Sequence, residues 1–288
     1  MNPYKIEGPA VISFSGGRTS GFMLKKILDA GLGPDVHVLF ANTGKEREET
    51  LEFVLQCGEA FGVPIHWLER RQDTGSPPRL EVVDFDRASR LGEPFEELLI
   101  DKSYLPNPVT RFCTTELKIR TMKAWMVARG YEHWTNVIGL RADEPRRVAK
   151  QRGRLTRERW EVSMPLADAG ATKNDVILFW KKQAFDLRLR SWEGNCDLCF
   201  LKGVLKRTRI IEDRPESVEW WARQEARQEA RQEAGFRIDT PSYRALLAAT
   251  QKQGRMFSND IFDERAMEED PTQLDECGGY CESNTEAA

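Results

Sequence analysis

The feature that most constrains this 288-residue chain is a glycine-containing turn between a short apolar strand and a helix. The apolar residues 10–13 predict a buried strand, and they run directly into Ser15, Gly16 and Gly17. Apolar side chains then recur at helical spacing, which predicts a helix after the turn. These side chains are Phe22, Met23, Ile27 and Leu28. A strand, a tight turn and a helix in this order indicate the first unit of a parallel sheet.

Strands and helices continue to alternate downstream of this turn. We expect strands over residues 36–40, 64–68 and 135–139, and helices over residues 46–61 and 114–129. The alternation predicts an α/β fold in which a parallel, twisted sheet is flanked by helices on both faces. Ligands bind at the carboxyl ends of the strands in such sheets, so residues that directly follow a strand are the candidate site residues.

A change of composition near residue 191 predicts where the first domain ends. We expect an α/β domain over residues 1–190 and a mainly helical, cysteine-containing region with a flexible tail over residues 191–288. Within the second region, Ala-Arg-Gln-Glu occurs three times between residues 222 and 233. The repeat places like charges at i,i+4, where they repel weakly, and it predicts a solvent-exposed helix.

Residues 13–20 form the strongest candidate binding site. Two glycines allow the backbone to approach an anion closely, and the N–H groups and dipole of the following helix favour a phosphate. Hydroxyl groups and one guanidinium add further donors. The candidate phosphate-binding residues are Ser13, Ser15, Gly16, Gly17, Arg18, Thr19 and Ser20.

Four segments, each placed after a strand or at a helix start, carry a family resemblance. The loop resembles the SGGxDS motif of the PP-loop, and Asn42-Thr43-Gly44 resembles the (D/N)TG element. Gly139-Leu140-Arg141 resembles the GxR segment, and residues 165–176 resemble the PLxxWTxxDVW element. Within the last segment, Thr172 and Asp175 fit a helix capping box. The chain thus resembles the PP-loop, adenine nucleotide alpha hydrolase-like superfamily, and within it the 3′-phosphoadenosine-5′-phosphosulfate (PAPS) reductase family. The resemblance implies further nucleotide-binding residues: Asn42, Thr43, Gly44, Gly139, Arg141 and Arg146.

The loop departs from the PP-loop pattern at two positions. Arg18 and Thr19 stand where ATP pyrophosphatases of this fold carry x-Asp, and that Asp is expected to hold magnesium. A threonine weakens the case for ATP cleavage, whereas Arg18 suits a phosphate or sulfate bound without a metal. Arg141, Arg146 and Arg147 are the candidate anion clamps, because guanidinium groups bind phosphate and sulfate oxygens bidentately.

Six cysteines, two of them in a CxxC, predict a metal or thiol site. In iron–sulfur members of the resembled family, a Cys-Cys pair followed by a basic helix joins a later CxxC to hold a 4Fe-4S cluster. Cys113, Cys196 and Cys199 match three of these positions, and Cys281 is the candidate fourth ligand. Zinc, a redox CxxC and no metal are the alternatives.

The tail contains a second candidate for sulfur chemistry. Glu276-Cys277-Gly278 resembles the ECGxH tail of PAPS reductases, although no histidine follows it here. In that family the thiolate attacks the sulfur of the sulfonucleotide and a second thiol releases sulfite. The resemblance therefore implies that Cys277 is the catalytic nucleophile.

Three functions are compatible with these motifs. The first is a reductase of PAPS or adenosine 5′-phosphosulfate (APS) that receives electrons from thioredoxin or another thiol reductant. The second is an ATP-dependent, adenylating sulfurtransferase for nucleic acid, resembling DNA phosphorothioation or tRNA thiolation enzymes. The third is a non-enzymatic, metal-stabilised module that binds a nucleotide or a nucleic acid. The sequence leaves the oligomeric state open.

The net charge and the hydropathy of the chain limit its binding partners and its location in the cell. The net charge of −3 means that a nucleic acid would have to bind a local patch, such as the basic run over residues 146–159. The longest apolar stretches are too short to span a bilayer, and the first residues lack the pattern of a secretory signal. We therefore expect a cytoplasmic protein with no membrane partner.

Overall fold

A six-stranded, mostly parallel sheet forms the centre of the molecule. The computed structural model describes residues 2–153, 158–190, 192–229 and 235–253. The strands are β1 (Ala10–Ser13), β2 (Val36–Ala41), β3 (Ile65–Arg71), β4 (Arg79–Val83), β5 (Trp134–Val137) and β6 (Trp160–Ser163). Their order is β4-β3-β2-β1-β5-β6, and only the β3–β4 pair is antiparallel. The predicted α/β fold is confirmed.

Helices connect the strands and form the C-terminal part of the described chain. They are α1 (Arg18–Ala30), α2 (Glu48–Phe61), α3 (Glu93–Lys102), α4 (Phe112–Thr114), α5 (Arg120–Ala128), α6 (Pro145–Arg152), α7 (Pro165–Asp168), α8 (Lys173–Trp180), α9 (Val204–Asp213), α10 (Val218–Glu229) and α11 (Tyr243–Gln253). A π-helical turn, Thr115–Ile119, joins α4 to α5, and a 3₁₀ turn, Pro215–Ser217, precedes α10. In the described ranges, no helix combines the length and apolar character needed to cross a membrane.

The central strands are apolar on both sides because both faces of the sheet are covered. Ile12 packs into a core cluster with side chains of α1, α2 and α8. Its neighbour Val11 points to the opposite face and packs with Trp125 and Met126 of α5. Alternate residues of a strand face opposite sides, so a strand buried on both sides becomes a continuous apolar run.

A separate core cluster joins the C-terminal helices to the segment that follows β4. Phe95 and Leu98 of α3 pack in this cluster with Leu198, Trp221 and Tyr243. Residues on both sides of the predicted boundary at residue 190 therefore share one core. The division into two domains stays a prediction.

The charged repeat is packed more closely than its sequence predicts. Gln224 and Glu225 of α10 are 2% and 6% exposed, and Glu225 accepts a hydrogen bond from the backbone N–H of Tyr243 at 2.8 Å. Arg223 and Arg227 both pair with Glu96 of α3. The prediction of a solvent-exposed helix is wrong for the first two repeats, because the helix docks between α3 and α11. The third repeat lies outside the described residues.

Two local predictions differ in outcome. The capping box is confirmed: the backbone N–H of Asp175 donates to Thr172 Oγ1 at 3.4 Å, and that of Thr172 donates to Asp175 Oδ2 at 2.8 Å. The predicted helix over residues 46–61 begins later, at Glu48. Residues 45–47 are instead extended, because they pair with residues 195–197.

Candidate functional site

A cavity of about 700 Å³ opens where β1 and β5 end. Its wall contains Ser13 at the end of β1, the loop before α1, and Gly139 after β5. One face of α8, together with segments 186–190 and 194–202, closes the other sides. The carboxyl ends of parallel strands are where ligands bind in sheets of this kind.

The loop before α1 is a tight turn whose two glycines lead directly into the helix. Gly16 has φ of +74°, and a Cβ placed on it would lie 2.7 Å from Thr50 Cγ2, so only glycine fits there. Gly17 is the N-cap residue of α1, and its N–H donates to Ser20 Oγ at 3.2 Å. Ser15 Oγ also donates to Ser20 Oγ, at 3.1 Å. The loop thus holds the positive end of the helix dipole against the cavity.

The described residues of the cavity wall carry far more basic than acidic groups. Eight are basic: Arg18, Lys118, Arg141, Arg147, Lys173, Lys181, Arg190 and Lys202. The two acidic ones already face arginines, since Glu144 lies 3.5 Å from Arg141 and Asp186 lies 2.7 Å from Arg18. This balance of charge favours an anionic ligand.

Arg141 and Arg18 both line the cavity, but their guanidinium groups have different partners. The Nη1 of Arg141 donates to Thr19 Oγ1 at 3.2 Å, and its Nε donates to Asp143 at 2.8 Å. Arg18 lines the cavity, but its guanidinium donates to Asp186 and to the carbonyl of Leu189 at 3.0 Å. These hydrogen bonds tie Arg18 to the segment that follows α8, residues 186–189.

Arg146 and Arg147, the first residues of the basic run, point in different directions from α6. Arg146 is exposed and does not line the cavity, whereas Arg147 does. The structure therefore favours Arg147 over Arg146 as a ligand-facing group. Residues 154–157 of the run lie outside the described chain.

The segment Asn42-Thr43-Gly44 does not line the cavity, and its side chains contact other buried residues. Asn42 is buried, and its amide donates to the buried Glu69 at 2.6 Å. The N–H and hydroxyl of Thr43 both donate to Glu46 Oε2 at 2.8 Å. Gly44 adopts φ of +75°. These contacts give the segment a structural role in the described chain.

A buried carboxylate joins this segment to the thiol side of the cavity. The side chain of Glu46 is 1% exposed and lies 3.4 Å from Lys118 Nζ. The Cys196 thiol donates to Glu46 Oε1 at 3.9 Å. Burial raises the pKa of the Cys196 thiol, and the nearby Glu46 carboxylate adds to this effect, while the ammonium groups of Lys118 and Lys202 oppose it.

The CxxC segment is docked onto both the loop and the residues that precede α2. The backbone N–H of Arg47 donates to the carbonyl of Asn195 at 2.9 Å, and Glu46 and Cys196 form an antiparallel bridge. Lys45 and Asp197 form an ion pair at 2.8 Å. The Asn195 amide donates to the carbonyl of Ser15 at 2.6 Å.

Sequence reasoning missed four residues of this cluster: Glu46, Lys118, Asn195 and Lys202. Lys118 could have been found, because it lies five residues after Cys113 at the start of the basic helix. The other three carry no motif, and only the docking of distant segments brings them to the site.

The predicted metal ligands are only partly brought together. Cys196 and Cys199 share the cavity wall, which Cys113 does not line, while Cys113 and Cys199 both pack against the core cluster formed by α3 and the C-terminal helices. In the described ranges, no three His, Cys, Asp or Glu side chains form a group that could hold a metal ion. Cys277 and Cys281 lie outside these ranges. The described residues therefore do not by themselves fit a 4Fe-4S cluster or a zinc ion.

The sheet order, the glycine loop at the start of α1 and the cationic cavity define a PP-loop, adenine nucleotide alpha hydrolase-like protein. The family model described as the phosphoadenosine phosphosulfate reductase domain matches residues 9–185, and the chain belongs to that family.

Two relatives have no assigned activity. The chain is 32% identical over 204 residues to the uncharacterized nin region protein ORF290 of Escherichia phage lambda, covering 68% of this chain and 67% of that protein. It is 37% identical over 81 residues to an uncharacterized protein of Methanocaldococcus jannaschii, covering 26% of this chain and 17% of that protein. These relatives therefore leave the reaction open.

Proposed function

We propose that this protein binds a sulfonucleotide, APS or PAPS, in the cavity and reduces or transfers its sulfur through cysteine chemistry. The observation that carries the proposal is that one cavity contains the glycine loop, an excess of basic groups and the thiols of Cys196 and Cys199. Membership of the PAPS reductase family supports an adenosine nucleotide as the ligand.

The phosphate of the nucleotide would bind at the start of α1. Backbone N–H groups and the helix dipole stabilise an anion there, and Arg141 adds a guanidinium next to Thr19. The described carboxylates of the wall, Glu144 and Asp186, are both engaged by arginines. This donor set suits an anion bound directly by cationic groups better than a magnesium–ATP complex.

The sulfur chemistry would follow the pattern that the family resemblance implies. The thiolate of Cys277 attacks the sulfate sulfur, the bond between that sulfur and the phosphate oxygen breaks, and the adenosine phosphate leaves. One thiol of a dithiol reductant then attacks the sulfur of Cys277, which releases sulfite and forms a mixed disulfide. The second thiol of the reductant breaks this bond, which regenerates the Cys277 thiolate and leaves the reductant as a disulfide. The first step transfers the sulfonate group without a net change in electrons, and the second step consumes two electrons from the dithiol.

An assay of sulfite release tests this proposal. The purified full chain is incubated with APS or PAPS and either dithiothreitol or reduced thioredoxin. We expect sulfite from one of the two sulfonucleotides, and we expect Cys277→Ser to abolish it. Cys57→Ala is the matched control, because Cys57 lies on α2, is fully buried in the core and does not line this cavity. Full activity of Cys277→Ser would contradict the assignment of the nucleophile.

A further inference from the structure

Asn195 connects two functional parts of the cavity that are far apart in sequence. Its side-chain amide donates to the carbonyl of Ser15 at 2.6 Å, which is a short and direct contact with the glycine loop. Its side-chain atoms also lie 3.4 Å from the position of a Cβ on Gly17. The residue is therefore packed against the part of the loop that begins α1.

The backbone of the same residue is fixed independently of the loop. Its carbonyl accepts from the N–H of Arg47 at 2.9 Å, and the N–H of Asp197 donates to the carbonyl of Lys45 at 2.9 Å. The Lys45–Asp197 ion pair and the Glu46–Cys196 bridge hold the same stretch. A displacement of Cys196 must therefore move Asn195 as well, because the two residues are adjacent and share this pairing.

Both thiols of the CxxC line the cavity next to Asn195. We propose that Asn195 is a positioning residue that couples the Cys196–Cys199 pair to the nucleotide loop. A chemical change at either thiol then alters the geometry of the loop, and binding at the loop alters the reactivity of the thiols. Coupling between two sites is reciprocal for binding equilibria, so each site reports on the other.

The coupling is tested first without any nucleotide. The thiols of the reduced full chain are alkylated with iodoacetamide, and the modified cysteines are identified by mass spectrometry. Each alkylation forms an S–C bond and releases iodide and a proton. Amide hydrogen exchange is then measured for the peptide that contains residues 13–21. We expect exchange in this peptide to accelerate at least about fivefold, the lower end of typical coupling between sites.

Three variants separate this effect from general damage. In the Cys196→Ser/Cys199→Ser variant, alkylation of the remaining cysteines should leave loop exchange unchanged. In Asn195→Leu, which keeps the size of the side chain but removes its donor, loop exchange should be fast before alkylation and should not respond to it. Asn174→Leu is the matched control, since Asn174 is exposed on α8, and it should behave as the wild type.

Three results would overturn the proposal: native thiols that resist alkylation, alkylation that leaves wild-type loop exchange unchanged, or Asn195→Leu responding as the wild type does. The first two are read on the wild type, so the test does not depend on whether a variant folds.

A second measurement rests on the proposed function. Binding of the sulfonucleotide, APS or PAPS, should weaken at least about fivefold on alkylation of wild-type protein, and less in Asn195→Leu, because the coupling is lost there. Equal weakening in both proteins would mean that the thiols only cover the cavity sterically, and it would count against the coupling. If neither APS nor PAPS binds but loop exchange responds, the proposed function fails and the coupling stands. If one of them binds but loop exchange does not respond, the proposed function stands and the coupling fails.

Discussion

Arg141 Nη1 donates a hydrogen bond to Thr19 Oγ1 at 3.2 Å, so the segment after β5 and the loop before α1 form one wall of the cavity. A charged hydrogen bond to an anion contributes about 1.5–3 kcal/mol, which corresponds to about 10- to 150-fold in affinity. We expect Arg141→Ala to weaken sulfonucleotide binding by this factor in a calorimetric titration. Arg146→Ala should bind as the wild type does, because Arg146 is exposed outside the cavity. Equal effects of the two variants would contradict the placement of the anion.

The conformation of Gly16 predicts a large loss of stability on substitution. Gly16→Ala would place a residue with a Cβ at φ of +74°, with the Cβ only 2.7 Å from Thr50. Gly75 has φ of +77° but no atom within 4 Å of its Cβ position, so Gly75→Ala isolates the backbone strain. We expect Gly75→Ala to lose about 1–2 kcal/mol and Gly16→Ala to lose about 1–3 kcal/mol more in urea unfolding. Similar losses would mean that the loop relaxes around the added methyl group.

The buried carboxylate of Glu46 should contribute far more to the free energy of unfolding than the more exposed carboxylate of Glu48. Glu46→Ala leaves the ammonium of Lys118 without this partner and removes the acceptor of both Thr43 donors, so we expect a loss of about 3–5 kcal/mol. Glu48→Ala removes only a half-exposed pair with Arg90, and its cost should stay below about 1 kcal/mol. Chemical unfolding of both variants measures this difference, and equal costs would contradict the buried cluster.

Two histidines predict a fall in stability under mildly acidic conditions. Burial, and then the charge of Arg129, lowers the pKa of both His37 and His66. In the unfolded chain the pKa of these histidines is about 6.5, so the unfolded chain binds protons more readily than the folded chain. The stability of the fold therefore decreases as the pH falls through about 6.5. We expect the His37→Asn/His66→Asn variant to lose less stability between pH 7.5 and 5.5 than the wild type. His133 is exposed, so His133→Asn should keep the wild-type dependence of stability on pH. If the double variant also kept the wild-type dependence, His37 and His66 would not be its cause.

The fold could be predicted from sequence because its signals are local. The strand at residues 10–13 and the capping box at Thr172 were found correctly, since apolar periodicity and cap residues act over a few positions. The antiparallel β4 and the short β6 were missed, because their residues are partly exposed and charged and lack a clean apolar pattern. The start of α2 was misplaced because a partner 150 residues away keeps residues 45–47 extended.

The site was predictable only where a motif directly faces the cavity. Arg141 and the predicted loop residues other than Gly16 line the cavity. Asn42 has the expected sequence context, but its side chain is directed to Glu69. Glu46 and Asn195 could not be found from sequence, because their contacts arise from the docking of two distant segments. The roles of Cys277 and Cys281 stay predictions, since both lie outside the described residues.

Isothermal titration of the reduced full chain with APS, PAPS and ATP plus magnesium tests the central claim most directly. We expect a sulfonucleotide to bind more tightly than ATP with magnesium, without any requirement for the metal, and we expect Arg141→Ala to reduce this affinity. Binding confined to ATP with magnesium would contradict the proposed sulfonucleotide site and would point to an adenylating sulfurtransferase. The absence of binding by all three nucleotides would contradict the proposal that the cavity is a nucleotide site.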